Sequence, residues 1–196
     1  MAIEVQGIGP ALGLLELSSI ARGVVVADAA LKRAPAVLLS SRTLSGGKHL
    51  VVLEGDVASV EEAMKAGGDA AGDKLVDRVE LAMADDAVWP MLAPGGVVEG
   101  GDWADDPQAE AVVIVELSTV SAAIAAADAA LKAADVVIRD VKLAVDLAGK
   151  AVFTFTGSLD AAQASAEAAE AAADRRLVGL ELIAQPAPEL RGRLFR

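Results

Sequence analysis

No cysteine occurs among the 196 residues. Disulfides, thiolate nucleophiles, Cys-based zinc sites and iron–sulfur ligation are thereby excluded, and the absence fits a reducing cytoplasm. Histidine occurs once, as His49, and tyrosine not at all. A catalytic or metal-binding histidine needs convergent partners, and none is visible around His49; a strand residue near a loop is the plainer reading. Aromatic residues make up only 3% of a chain that is 54% hydrophobic. The core must then be built from Ala, Val, Leu and Ile, which favours thin, closely spaced layers. Trp89 and Trp103 read as packing or loop anchors. Basic residues are outnumbered 29 to 17, for a net charge of −12. Such a chain repels phosphate backbones and anionic lipid, so neither nucleic acid nor membrane is an expected partner. Glu99, Asp102, Asp105, Asp106 and Glu110 fall in one short stretch, which reads as a solvated loop. No apolar run approaches the ~18 residues of a membrane helix. The opening MAIEVQGIGP has neither a basic start nor a long apolar run, so a signal peptide is not expected.

What is present is a repeat. The word ADAALK occurs as Ala27–Lys32 and again as Ala127–Lys132. At the same offset of 100, Glu16-Leu17-Ser18 meets Glu116-Leu117-Ser118, Val37 meets Val137 and Arg42 meets Lys142. The offset then becomes 102, with Gly47-Lys48 on Gly149-Lys150 and Gly55 on Gly157. The second copy therefore carries two extra residues between Lys142 and Gly149. Alanine-rich helices match easily by chance. This match runs through a strand, a helix, a loop and a second strand in one order, and that marks a duplication.

Each copy reads as strand, helix, strand, strand, helix, strand. Short apolar runs at Ala11–Leu17 and Ala111–Leu117 predict buried strands. Ser18 or Ser19, and Ser118 or Thr119, can cap the helices that follow. Those helices run to about Ala34 and Ala134, with Pro35 marking the first exit. Strands are expected over 36–42 and 136–142, then over 49–54 and 151–156. Second helices follow over 57–71 and 159–175, and last strands over 75–81 and 177–183. The β-α-β-β-α-β order is the split unit of ferredoxin-like α/β (α+β) folds. The Gly-, Pro- and Asp-rich stretch APGGVVEGGDWADDPQAE joins the copies. This gives domains over residues 1–95 and 110–196 with a linker at 96–109.

Two constellations stand out. Asp28 and Lys32 are four apart on one helix face, as are Asp128 and Lys132; each pair can form a local ion pair of roughly 0.2–0.5 kcal/mol. TLSGGKH (Thr43–His49) is a Gly-containing loop. It is not a phosphate loop, because the first glycine of that motif is missing and His49 stands at the Ser/Thr position. A tight turn fits, since glycine accepts positive φ.

The words LGLLELSSIARG, ADAALKRA, SGG before a strand, and EGDVASVEEAM opening the second helix resemble bacterial microcompartment shell proteins. The resemblance is to the class with two tandem shell domains, and to its non-permuted, single-layer branch. It covers residues 11–195. It implies a structural protein of the bacterial cytoplasm, without catalytic residues, cofactor or metal. It implies a homotrimer that mimics a hexamer and tiles a facet beside hexameric and pentameric shell proteins. In such a disc, Ser45-Gly46-Gly47 and Leu147-Ala148-Gly149 would line a central pore for small metabolites. Asp146, in the two-residue insertion, would then disfavour anions there, or point elsewhere as an exposed turn residue. Lys32 and Lys132, with Asp28 and Asp128, would lie at the tile edge against the neighbouring disc. Gln185 stands where the family's edge motif has an arginine between two prolines, and copy one has Ala84 there. Neither copy keeps that arginine; Arg191 or Arg193 can substitute. A ferredoxin-like small-molecule sensor or regulator is the alternative reading, and a catalytic protein of the same topology a weaker one.

Overall fold

Ser19 and Thr119 begin the two first helices as the sequence suggests. Each accepts a hydrogen bond from a backbone N–H three residues on, Arg22 and Ala122 respectively, which satisfies one of the donors left open in a first turn. The computed structural model describes residues 9–93, 96, 98 and 103–191. Glu99, Asp102 and Arg193 lie outside the described residues.

In the first copy β1 (Ala11–Leu17) leads to α1 (Ile20–Arg33), β2 (Val37–Leu44), a 3-10 turn at Ser45–Gly47, β3 (Lys48–Gly55), α2 (Val57–Ala71) and β4 (Leu75–Leu81). A short helix α3 (Val88–Met91) comes next. The second copy runs β5 (Ala111–Leu117), α4 (Val120–Ala133), β6 (Val137–Leu143), β7 (Ala151–Gly157), α5 (Leu159–Ala173) and β8 (Leu177–Ala184), then a 3-10 turn at Pro188–Leu190.

Each copy forms an antiparallel four-stranded sheet, in the orders β2-β3-β1-β4 and β6-β7-β5-β8. This is the split-unit topology expected from the element order. The register repeats as well: Leu14 pairs with Val52, and Ile114 with Thr154. Even the irregularities repeat. The ladder slips between Leu38 and Ser40 and between Ile138 and Asp140, and again at Glu16/Leu17 and Glu116/Leu117. Matching bulges are built features, and here they record the duplication in the backbone.

The first sheet's helix side holds Ala11, Leu15, Leu17, Val51 and Leu53 against Val26, Ala30, Val60, Ala63 and Met64. The layers are thin, as the scarcity of aromatics requires. A Cβ at Gly67 of α2 would sit 2.6 Å from Leu15 Cδ1, so the helix rests directly on the strand. In the second copy Trp103 is buried with Ala109 and Val112, packed by Ile114 and Ile183.

Contacts divide the described residues into two compact units. One holds the chain up to Ala84 together with Ala144–Gly149; the other holds Asp85–Leu143 and the chain from Lys150 on. The segment after β6 thus belongs with the first unit. No helix among the described residues is long and apolar enough to cross a membrane. No group of three His, Cys, Asp or Glu among them is placed to hold a metal ion.

His49 is buried on the helix side of β3. Its Nε2 lies 2.8 Å from Ser41 Oγ, and its Nδ1 meets no hydrogen-bond partner among the described residues. Gly23 of α1 makes room for it, since a Cβ there would come within 2.2 Å of the ring. Burial holds the His49 pKa below its ordinary value of 6.5. An unfolded ring takes up its proton near 6.5, the buried one only at lower pH. The stability from burying a neutral ring is therefore complete above about pH 6.5 and lost as pH falls below it. One such group gives at most about 1.4 kcal/mol per pH unit. Urea midpoints measured at pH 7.5 and 5.5 should fall with acid in the parent chain, and by clearly less in His49→Phe. Equal acid losses in the two would show that another group carries the dependence.

Candidate functional site

Leucine at the end of β2 and lysine at the start of β3 leave three small residues to reverse the chain. Gly46 adopts φ 76° and ψ 17°, and Gly47 φ 74°. Both lie in the left-handed region that favours glycine. Beside this turn, in the same unit, runs Ala144–Gly149. Ala144, Asp146 and Ala148 have φ of 61°, 56° and 51°. Each non-glycine residue held there costs roughly 1–2 kcal/mol, so other contacts must hold the segment.

Ser45 supplies them. Its N–H donates to the Ala144 carbonyl at 3.3 Å, and its hydroxyl donates to the same oxygen. The hydroxyl oxygen accepts the Gly149 N–H at 2.9 Å. A Cβ on Gly46 would lie 3.0 Å from the Ala148 carbonyl oxygen. The structure therefore brings Ser45 and Gly46 onto Ala148 and Gly149, two loops about a hundred residues apart in the chain. Gly47 has open space around it. Asp146 is exposed and Leu147 half-buried. The clasp is built largely from backbone groups, with the Ser45 hydroxyl bonded to both ends of the segment.

Behind the loop stands a pair that the sequence reading passes over. Lys48 Nζ donates to Glu16 Oε1 at 2.8 Å and to the Gly149 carbonyl at 3.1 Å. The Glu16 side chain is fully buried and that of Lys48 is 19% exposed. The duplicate pair, Lys150 and Glu116, bonds at 2.7 Å with both side chains open, 47% and 42% exposed. The signal was available: glutamate and lysine recur together at matching positions in both copies. Arg42, one strand over, keeps Nε and Nη2 out of solvent with no acceptor among the described residues.

The helix-face pairs are both made. Lys32 reaches Asp28 at 2.7 Å and Lys132 reaches Asp128 at 2.6 Å. They differ in setting. Asp28 is open, whereas Asp128 is buried and its second oxygen accepts the Asp85 N–H at 2.8 Å. Gln185 turns the chain out of β8 at φ 48°, its N–H donating to the Glu110 carbonyl at 2.7 Å. Ala84 makes the matching bond after β4, its N–H donating to the Pro10 carbonyl at 3.0 Å. Hydrogen bonding thus sets Ala84 and Gln185 at equivalent places.

The BMC domain model matches residues 11–84 and again 111–186. The chain belongs to the BMC domain family. It carries the domain twice, one match on each sheet unit's elements. Bacterial microcompartment shell protein PduT of Citrobacter freundii is 38% identical over 169 residues, 86% of this chain and 88% of that protein. Carboxysome shell protein CsoS1C of Hydrogenovibrio crunogenus is 36% identical over 90 residues, 44% of this BMC chain but 88% of that protein. A match of that length is what a single copy would give. Among solved structures, a microcompartments protein from Desulfitobacterium hafniense DCB superposes with a TM-score of 0.70 at 29% identity, covering 92% of this chain and 97% of that one.

Proposed function

We propose that this chain is a structural shell protein of a bacterial microcompartment, working in the shell within the cytoplasm. Three copies close into a pseudohexameric disc that tiles a facet beside hexameric and pentameric shell proteins. The observation that carries this reading is the tandem BMC domain itself. Two like wedges per chain close a six-membered ring with three chains, and closed rings with repeated edges suit a tile. Similarity to a shell protein over most of both chains supports the same reading. The protein works by geometry and not by catalysis.

In that disc the Ser45–Gly47 turn and the clasped Asp146–Gly149 segment face the ring axis and form the lips of a pore for small metabolites. Glycine and alanine leave backbone groups accessible to passing solutes, and three copies of Asp146 disfavour anions. Lys32 and Lys132 sit at the tile edge, each held by its own aspartate, and Gln185 takes the place of the edge arginine.

Electron microscopy of the purified protein across a range of salt tests the reading. Sheets, tubes or shells are expected. Discrete particles alone under every condition would instead favour a small-molecule sensor of this topology.

A further inference from the structure

Helices α1 and α4 are copies of one another, yet their surroundings differ. On α4, Val120 and Ile124 are fully buried and Asp128 nearly so. Part of that cover is the segment that follows Ala84: α3 packs against α4, and the Asp85 N–H is held by Asp128. Val88, Trp89 and Met91 of α3 are buried. The matching residues of α1 are open: Ile20 is 45% exposed and Val24 58%, and Leu31, whose counterpart Leu131 is half-buried, is 39% exposed. Spacings of four and seven residues put Ile20, Val24 and Leu31 on one apolar stripe beside Asp28.

The counterpart of the covering segment also exists, and it too is open. It follows Gln185, as the first follows Ala84, and it also makes a single helical turn, Pro188–Leu190. Leu190 on that turn is 40% exposed, standing where α3 presents buried apolar side chains. The sequence adds Leu194 and Phe195 just after it. Among the described residues, one half of a repeated contact is thus missing on each side: a helix face left open, and a turn that covers no helix.

We infer that the Pro188–Leu190 turn of one copy docks on the Ile20/Val24/Leu31 face of α1 of a second copy, head to tail. The occupant is the same chain, because the contact already made at α4 uses the equivalent turn on the equivalent helix. The seam is more apolar than its internal counterpart. Pro186 follows Gln185 as Asp85 follows Ala84, and proline has no N–H to give to Asp28. A head-to-tail contact closes a ring when its rotation returns on itself, as the pseudohexamer requires. The inference rests on the pseudohexameric reading and names the surfaces that would join its chains.

The chain's lack of cysteine makes the test clean. Val24→Cys and Leu190→Cys chains are co-expressed and treated with a short bismaleimide, beside each single variant alone. The expected result is a cross-linked dimer in the mixture, at least tenfold more abundant than in either single variant. A chain carrying both cysteines should give dimers and trimers, and nothing larger. Sedimentation of the unmodified protein separates the two ways of failing. Trimers that yield no Val24–Leu190 adduct overturn this docking and leave the pseudohexamer standing. A protein that stays monomeric at every concentration overturns both.

Discussion

Lys48→Met should destabilise the chain by roughly 3 kcal/mol, against about 1 kcal/mol or less for Lys150→Met. The two lysines hold the same position in duplicated copies and each bonds its glutamate within 2.8 Å. What separates them is water. Lys150 and Glu116 are both about half exposed; such pairs contribute about 0–1 kcal/mol, because each ion alone is well solvated. Glu16 is fully buried, and removing its cation takes the charged partner from a carboxylate that water does not reach, a loss of roughly 3–5 kcal/mol. The lower end applies, since Lys48 itself keeps some contact with solvent. Lys48 also ties the Gly149 carbonyl, so the clasp of Ala144–Gly149 should loosen in the same variant. The control is the double substitution Glu16→Leu with Lys48→Met. An apolar pair of similar size is often neutral in such a site, so the double variant should recover at least half of the loss. Urea unfolding of the four proteins reads this directly. Equal losses in Lys48→Met and Lys150→Met would show that burial does not distinguish the pairs.

That pair marks where the sequence stops being legible. The strand at Ala11–Leu17 and the helix from Val57 to Ala71 are placed to the residue by apolar runs, caps and glycine exits. Strand β2 extends to Leu44, two residues past its expected end, because Thr43 and Leu44 still pair with His49 and Lys48 across a tight turn. Helix α3 escapes notice altogether: four residues show no periodicity, and Pro90 within them reads as a breaker. The Asp–Lys pairs are visible as a spacing, but the burial of Asp128 is not. It depends on Asp85, forty-three residues away. Likewise the two-residue insertion shows where the copies differ in length. That its neighbours Ala144 and Gly149 bond to Ser45 is a fact of tertiary structure, invisible to alignment of one copy on the other.

Replacing Lys32 and Lys132 together with alanine should abolish sheets while leaving the trimer and its fold intact. The internal cost is small. Lys32 and Asp28 are largely exposed, at 75% and 58%, and an exposed i,i+4 pair contributes about 0.3–0.5 kcal/mol. Lys132 is the more consequential of the two at home. Its aspartate is buried and already fixed by the Asp85 N–H, so Lys132→Ala removes one of two partners from a carboxylate that cannot turn to water. A loss of about 1–2 kcal/mol is expected there, still short of unfolding a typical domain. At the edge the balance reverses. In the proposed disc of three chains, three Lys32 and three Lys132 would stand at the rim, so every seam with a neighbour would lose its cations at once. Weak contacts repeated around a rim hold a lattice only in combination, and a lattice deprived of all six should not grow. Sedimentation should show trimers at the parent mass, and microscopy should show no sheets. Sheets of ordinary extent from the double variant would exclude the lysines as seam residues. The single variants add a finer test of the copy asymmetry: the pre-oriented Lys132 should matter more to sheet growth than the freer Lys32, although the two carry the same charge on the same helical word.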